Sequence, residues 1–375
     1  MPAGAWPGPK KSRGSGGGGK QRTQASAVIA RHIEPAALPP DYSNPFGVSM
    51  RTRSLLTVFA CLFALSASTG ARAQADDYPN RPIRLLVGFP PGGISDVIAR
   101  TVASKASSIL KQNIVVENRP GAGTTIAADT VARSAPDGYT LLLQDTTTHA
   151  INASLYPKLP FDTVKSFTPI SLVSSSPLML VVKADSPAKD VKGLIALLAS
   201  KPGTYAYGSS GNGTIIHLAS EMMDRAANVQ AVHIPYKGSA PIIQALLSGD
   251  VAYAWSSMPP AISQVKAGKL RALAVSTPKR IAAAPDVPTI AEAGVPAAEV
   301  ILYNGVLGPA NLPPAIVKRL NAAFNEAANS DEVKTVYATL GADPVAVTPE
   351  QMLAQIEADI PKYGKVVKEV GAKVD

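Results

Sequence analysis

The sequence predicts a two-lobed α/β protein, each lobe a mainly parallel sheet flanked by helices, with a ligand cleft between them. Three observations predict it. Short apolar runs alternate with helical stretches along residues 76–375, the rhythm of strand–helix–strand units. The rhythm restarts after Leu178–Val182. Three strand exits are polar, and two of them are rich in glycine, which suits loops that face a ligand beyond the carboxyl ends of a sheet.

In order, Ile83–Val87 reads as a strand, and 96–110 as a helix with Val97, Ile98, Val102, Ile109 and Leu110 on or near one face. A strand at 113–117 and a helix at 124–132 follow. The turn Pro136-Asp137-Gly138 then introduces a strand at 139–143. In the second half, helices are expected at 191–200, 215–226 and 240–247, and strands at 205–208, 229–234, 251–255 and 270–275. The remainder reads as helices at 315–329, 331–340 and 350–370. Apolar stretches at 178–183 and 300–307 are the expected crossings between lobes. The division is 76–180 with 301–375 for the first lobe and 181–300 for the second.

The segment before residue 76 is of another kind. Arg51 and Arg53 precede an apolar run of eleven residues, Leu55–Leu65, and Ala71-Arg72-Ala73-Gln74-Ala75 supplies small residues for a peptidase. Eleven residues span about 16 Å as a helix, roughly half a bilayer core, so a cleaved signal peptide at 50–75 is expected rather than an anchor. Cleavage after Ala73 or after Ala75 fits equally. Residues 1–49, with Gly14–Lys20 almost all glycine, read as a disordered extension ahead of a start at Met50. A periplasmic protein is the expectation.

This segment also carries the charge. The whole chain is +9, but nine of its 36 Lys and Arg and only two of its 27 acids fall in residues 1–75, which leaves the rest near +2. Nucleic acid is therefore not an expected partner. The only cysteine, Cys61, lies in the apolar run, so the exported part needs no disulfide.

The residues that carry chemistry sit at strand exits. Phe89-Pro90-Pro91-Gly92-Gly93-Ile94-Ser95-Asp96 lets backbone approach a ligand and opens a helix whose free amides favour an anion; a plain turn with an N-cap is the alternative. Ser209-Ser210-Gly211-Asn212-Gly213-Thr214 has the same build and matches neither a P-loop nor a nucleophile elbow. Gln144-Asp145-Thr146-Thr147-Thr148-His149 is the third polar exit. His217 and Glu221 stand four apart on a helix but lack a third ligand, so no metal is expected, and no cofactor either. Lys237 faces either the cleft or solvent. A secreted serine hydrolase, with Ser210 or Ser95 and His217 or His149, and a ligand-presenting sensory module stand as alternatives to pure binding.

An ordered series of motifs then becomes recognisable. It runs from Tyr78-Pro79-Asn80-Arg81-Pro82-Ile83, Pro91-Gly92-Gly93 with Asp96, and Val116–Gly123, through Ala135–Leu141 and Ser209–Thr214 with His217-Leu218. His233–Gly238, Leu270–Val275 and Pro285–Gly294 complete it. Over essentially all of 76–375 the chain resembles the substrate-binding proteins of tripartite tricarboxylate transporters, the Bug family. The resemblance implies a type II periplasmic-binding-protein fold, with no chemistry of its own, that closes on a small carboxylate such as a di- or tricarboxylate, an acidic amino acid or an aromatic acid. It implies a monomer that passes its ligand to membrane permease subunits. Carried over, Phe89, Gly92, Gly93, Ser95 and Asp96 contribute from one lobe and Ser209, Ser210, Gly211, Asn212, Gly213 and Thr214 from the other, partly through ordered water. Thr147 would lie along the cleft. Ile94-Ser95 replaces two small polar residues, making the pocket more apolar, and Tyr303 replaces a frequent tryptophan on the far wall.

Overall fold

A computed structural model describes residues 77–374. The expected signal peptide at 50–75 and the stretch before it lie outside the described residues. In chain order the first elements are β1 (Ile83–Val87), α1 (Ile94–Leu110), β2 (Ile114–Asn118), α2 (Thr125–Ala132), β3 (Thr140–Asp145), α3 (Thr146–Leu155) and β4 (Phe167–Ser176). Next come β5 (Leu178–Lys183), α4 (Val191–Ser200), β6 (Ala206–Ser209), α5 (Ile215–Ala226), β7 (Val232–Pro235), α6 (Ser239–Ser248), β8 (Tyr253–Ser257), α7 (Met258–Lys266) and β9 (Leu270–Val275). The chain ends with β10 (Leu302–Pro309), α8 (Pro314–Asn329), α9 (Asp331–Thr339), β11 (Asp343–Pro344) and α10 (Pro349–Val370).

Two mixed sheets result. The first has the order β11-β4-β10-β3-β1-β2 and the second β7-β6-β8-β5-β9. Strand β1 pairs in parallel with β2 and β3, and β6 with β7 and β8. The antiparallel members are the two strands that follow a change of sheet, β10 against β3 and β4 and β5 against β8 and β9, and the short edge strand β11 against β4. Leu85, Leu86 and Val87 of β1 and Leu141–Leu143 of β3 are fully buried, since helices cover both faces. Helix α1 buries Ile98, Val102, Ala106 and Leu110, one row at four-residue spacing.

The chain leaves the first sheet after Ser176, because β5 is already paired in the second from Leu178, and it returns between Val275 and Leu302. Ser276 ties the two crossings together. Its amide donates to Leu178 O (2.9 Å) and its carbonyl accepts from Val300 N (3.0 Å). Its hydroxyl accepts from Leu178 N (2.9 Å) and donates to Val300 O (2.7 Å). A fully buried residue making four such bonds fixes the spacing of the crossings and leaves their bending to the flanking backbone.

Helix α10 opens with a capping box of Thr348 and Gln351 and ends at Gly371 in the left-handed region. It packs on α3 and β4 and also reaches α5 of the second lobe, where the Arg225 guanidinium donates to Glu369 O. Helices α3 and α7 and strands β4 and β11 were not expected from sequence. Among the described residues no helix is long and apolar enough to cross a membrane.

Candidate functional site

Five strand-to-helix turns converge on one cavity between the lobes. It is lined by Phe89, Pro90, Pro91, Gly93, Ile94, Ser95, Asp145 and Leu302 from the first lobe. From the second come Ser210, Thr214, Ile215, Ile216, Lys237, Gly238, Ser239, Ala240, Pro241 and Ser257. This cavity measures about 40 Å³, and a larger one of about 460 Å³ adjoins it along Gly121–Thr124, Gly211, Asn212 and Tyr236.

The first turn, from β1 to α1, is shaped from below. Gly92 has φ +85°, a conformation that favours glycine. The Asp96 carboxylate turns back under the loop, accepting from Gly92 N (3.0 Å), Asn118 Nδ2 (2.9 Å) and the Arg100 guanidinium (2.9 Å). Burial pushes this carboxyl up, but those three donors outweigh burial and hold it below the usual carboxylate range. Asn118 Nδ2 also donates to Phe89 O (3.0 Å). Gly93, the N-cap of α1, makes no side-chain cap, so the first amides of α1 stay available beside the cavity.

The β6–α5 turn is the counterpart on the second lobe. Ser209 is buried and its hydroxyl lies 2.6 Å from His233 Nε2 while accepting from Gly211 N (3.2 Å). Ser210 Oγ donates to Thr214 Oγ1 (3.0 Å), and Thr214 caps α5. Gly213 N donates to His217 Nδ1 (3.1 Å), so that nitrogen carries no proton. Under this loop the rings of His217 and His233 stack 3.9 Å apart, with Tyr207 5.0 Å from His233. Burial, reinforced by His233, lowers His217 to about 3, and burial lowers His233 to about 4.

The remaining turns supply further helix starts. Asp145 caps α3, accepting from Thr147 N (3.0 Å) and from the Thr148 hydroxyl, and burial raises its pKa to about 6. Thr148 Oγ1 accepts in turn from Ile215 N of the second lobe (3.3 Å). Gly238, with φ +95°, starts α6, and Ser257 starts α7, both without a side-chain cap. The lobes touch closely here: a Cβ on Gly238 would sit 3.1 Å from Pro90, and one on Gly213 would sit 1.7 Å from Leu155 Cδ2.

Of the residues expected at the site, Phe89, Gly93, Ser95, Ser210 and Thr214 line the cavity, and Gly211 and Asn212 line the adjoining cleft. Gly92, Asp96, Ser209 and Gly213 lie in the framework of the loops. Thr147 donates to Ile301 O (3.3 Å) at the second crossing. Tyr303 packs with the cluster of Leu86, Leu142, Met352 and Ile356, and its neighbour Leu302 lines the cavity, because side chains alternate along a strand. Sequence reasoning missed Ile215, Ile216, Gly238, Ser239, Ser257 and Leu302. Gly238-Ser239 had the strand-exit signal that marked the other loops; Ser257 and Leu302 had none.

The pairs a hydrolase would use are engaged elsewhere. His217 Nδ1 is taken by Gly213 N, and His149 contacts Thr163 O through Nε2 (2.8 Å) and Gln144 through Nδ1 (3.0 Å). Among the described residues no three His, Cys, Asp or Glu side chains are grouped to hold a metal.

Buried neutral histidines give a pH prediction. Burial lowers His149 to about 4, against an ordinary 6.5, so between these values the unfolded chain binds a proton that the folded one excludes. This part of the stability is complete above about pH 6.5 and is lost as pH falls towards 4. Urea unfolding at about pH 7 and about pH 5 should show His149→Gln losing about 2 kcal/mol less than wild type on acidification. Equal losses would mean that His149 is already charged in the folded chain.

The family model for the tripartite tricarboxylate transporter family receptor matches residues 98–372. Protein BugT of Bordetella pertussis is 38% identical over 326 residues, covering 87% of this chain and 100% of that protein. Among solved structures, R. palustris Rpa4515 with adipate is 34% identical, with a TM-score of 0.76, covering 80% of this chain and 100% of that one. MatC from Rhodopseudomonas palustris with bound malate is 32% identical, with a TM-score of 0.73, covering 77% and 100%. With a matching family model over most of its length and a relative aligned end to end, the chain belongs to the tripartite tricarboxylate transporter receptor family.

Proposed function

We propose that this chain is an exported receptor that captures a small carboxylate between its lobes and delivers it to membrane permease subunits of a tripartite tricarboxylate-type transporter. The observation that carries the reading is the convergence of helix starts from both lobes on one cavity, three of them (α1, α6 and α7) without a side-chain cap. Uncapped amides and the positive end of the helix dipole suit an anion that must be bound and later released. The adipate and malate held by the two solved relatives support the same chemistry.

In this reading Gly93 and Ser95 of the first lobe and Ser210, Gly211, Asn212 and Thr214 of the second meet the ligand. Asp96, Ser209 and Gly213 hold the loops that present them, and Thr147 holds the second crossing. The ligand selects the closed arrangement because it touches both lobes at once. The signal peptide at 50–75 would place the receptor in the periplasm, where it acts as a monomer.

A thermal-shift panel of carboxylates on the purified protein tests the reading. At least one acid should raise the melting temperature, and Ser210→Ala should weaken its binding about tenfold without lowering the melting temperature of the free protein. No shift with any acid, or Ser210→Ala binding like wild type, would contradict it.

A further inference from the structure

The cavity is built to receive one negative charge and is poorly suited to a second. Much of its wall is apolar, with Phe89, Ile94, Ile215, Ile216 and Leu302 facing it. Among the described residues only two ionisable side chains line it, Lys237 and Asp145. Lys237 is exposed, whereas Asp145 is wholly buried. The Asp145 carboxylate is bonded to Thr147 N and the Thr148 hydroxyl, and no cation is paired with it among the described residues. Ser257, 2% exposed, also lines the cavity, and its hydroxyl has no partner among the described residues.

These features divide the work of recognition. The uncapped helix starts and Lys237 can satisfy one carboxylate. A second carboxylate on the same ligand would be brought towards the buried Asp145 beside a largely apolar wall, where like charges repel more strongly than in water. The Ser257 hydroxyl offers a neutral hydrogen-bonding partner, which an uncharged polar group can use and which does not offset a full negative charge.

We infer that the site selects monocarboxylates with an apolar body, and that Asp145 discriminates against dicarboxylates. This rests on the reading that the cleft binds a carboxylate. It separates the chain from both solved relatives named above, whose ligands, adipate and malate, are dicarboxylates.

Matched pairs test it by calorimetry on the purified protein at about pH 8: hexanoate against adipate, and benzoate against terephthalate. Within a pair that binds, the monocarboxylate should be the tighter by about tenfold or more, and Asp145→Asn should narrow that ratio. The wild-type ratio stands as a test even if Asp145→Asn fails to fold, since Asp145 caps α3. A dicarboxylate bound as tightly as its partner, or a ratio unmoved in a folded Asp145→Asn protein, overturns the selectivity and leaves carboxylate binding intact. Failure of all four acids to bind counts against the inference; if other carboxylates in the wider panel also fail, the carboxylate reading falls with it.

Discussion

Gly213→Ala is expected to weaken ligand binding by more than tenfold while both lobes remain folded. Gly213 has φ +72°, which an L-residue adopts at a cost of about 1 kcal/mol. The larger effect is steric. A Cβ there would lie 1.7 Å from Leu155 Cδ2, and Leu155 is a buried residue of the opposite lobe. Opening the lobes relieves the overlap at once, so the substitution should deplete the closed state and reduce apparent affinity by the fraction still able to close. Calorimetry with a carboxylate that binds the wild type checks this. Leu155→Ala in the same chain should restore part of the loss by removing the clash, leaving the backbone strain in place. Wild-type affinity in Gly213→Ala would show that the two lobes need not meet at this point.

Asp96→Ala is expected to lower stability by about 2–4 kcal/mol and to weaken binding together with it. The carboxylate is buried and serves three donors, Gly92 N, Asn118 Nδ2 and the Arg100 guanidinium. Removing it leaves those donors without their acceptor and frees the loop that carries Gly93 and Ser95. Its folded-state pKa is depressed, so this contribution is present above the ordinary value near 3.8 and is lost as pH falls through the lowered one. Urea unfolding at neutral pH measures the first effect and calorimetry the second. Undiminished stability would mean that the loop is held by Asn118 alone.

Much of the architecture was legible because strands and helices with clear periodicity bury one consistent face. β1 and β9, and helices α4 and α5, fall where apolar spacing placed them. Elements stabilised by distant partners were not legible. Helix α3 begins with three threonines, weak helix formers, and depends on the Asp145 cap and on packing against α10. Strand β4 contains Pro169 and three buried serines, two of whose hydroxyls are met by residues far along the chain, Ser171 by Asn325 Oδ1 and Ser174 by Asn304 Nδ2 (3.1 Å). Helix α7 was hidden by Pro259-Pro260, which are tolerated in its first turn.

The site divides in the same way. Gly93, Ser95, Ser210 and Thr214 could be placed at a cleft because a polar turn between strand and helix has few other uses. The separate part played by Asp96 could not be read, since a carboxylate two residues into a helix looks alike whether it faces a ligand or its own loop. Tyr303 and Leu302 show how fine the distinction is: one step along a strand exchanges the cavity for the core.

The central claim is that uncapped helix starts from both lobes hold the ligand's carboxylate, and a crystal structure of the complex tests it most directly. The account predicts carboxylate oxygens within about 2.7–3.2 Å of backbone amides at the start of α1 and of hydroxyls or amides in the Ser210–Thr214 turn. A carboxylate bound by Lys237 alone, or outside this cavity, would contradict it.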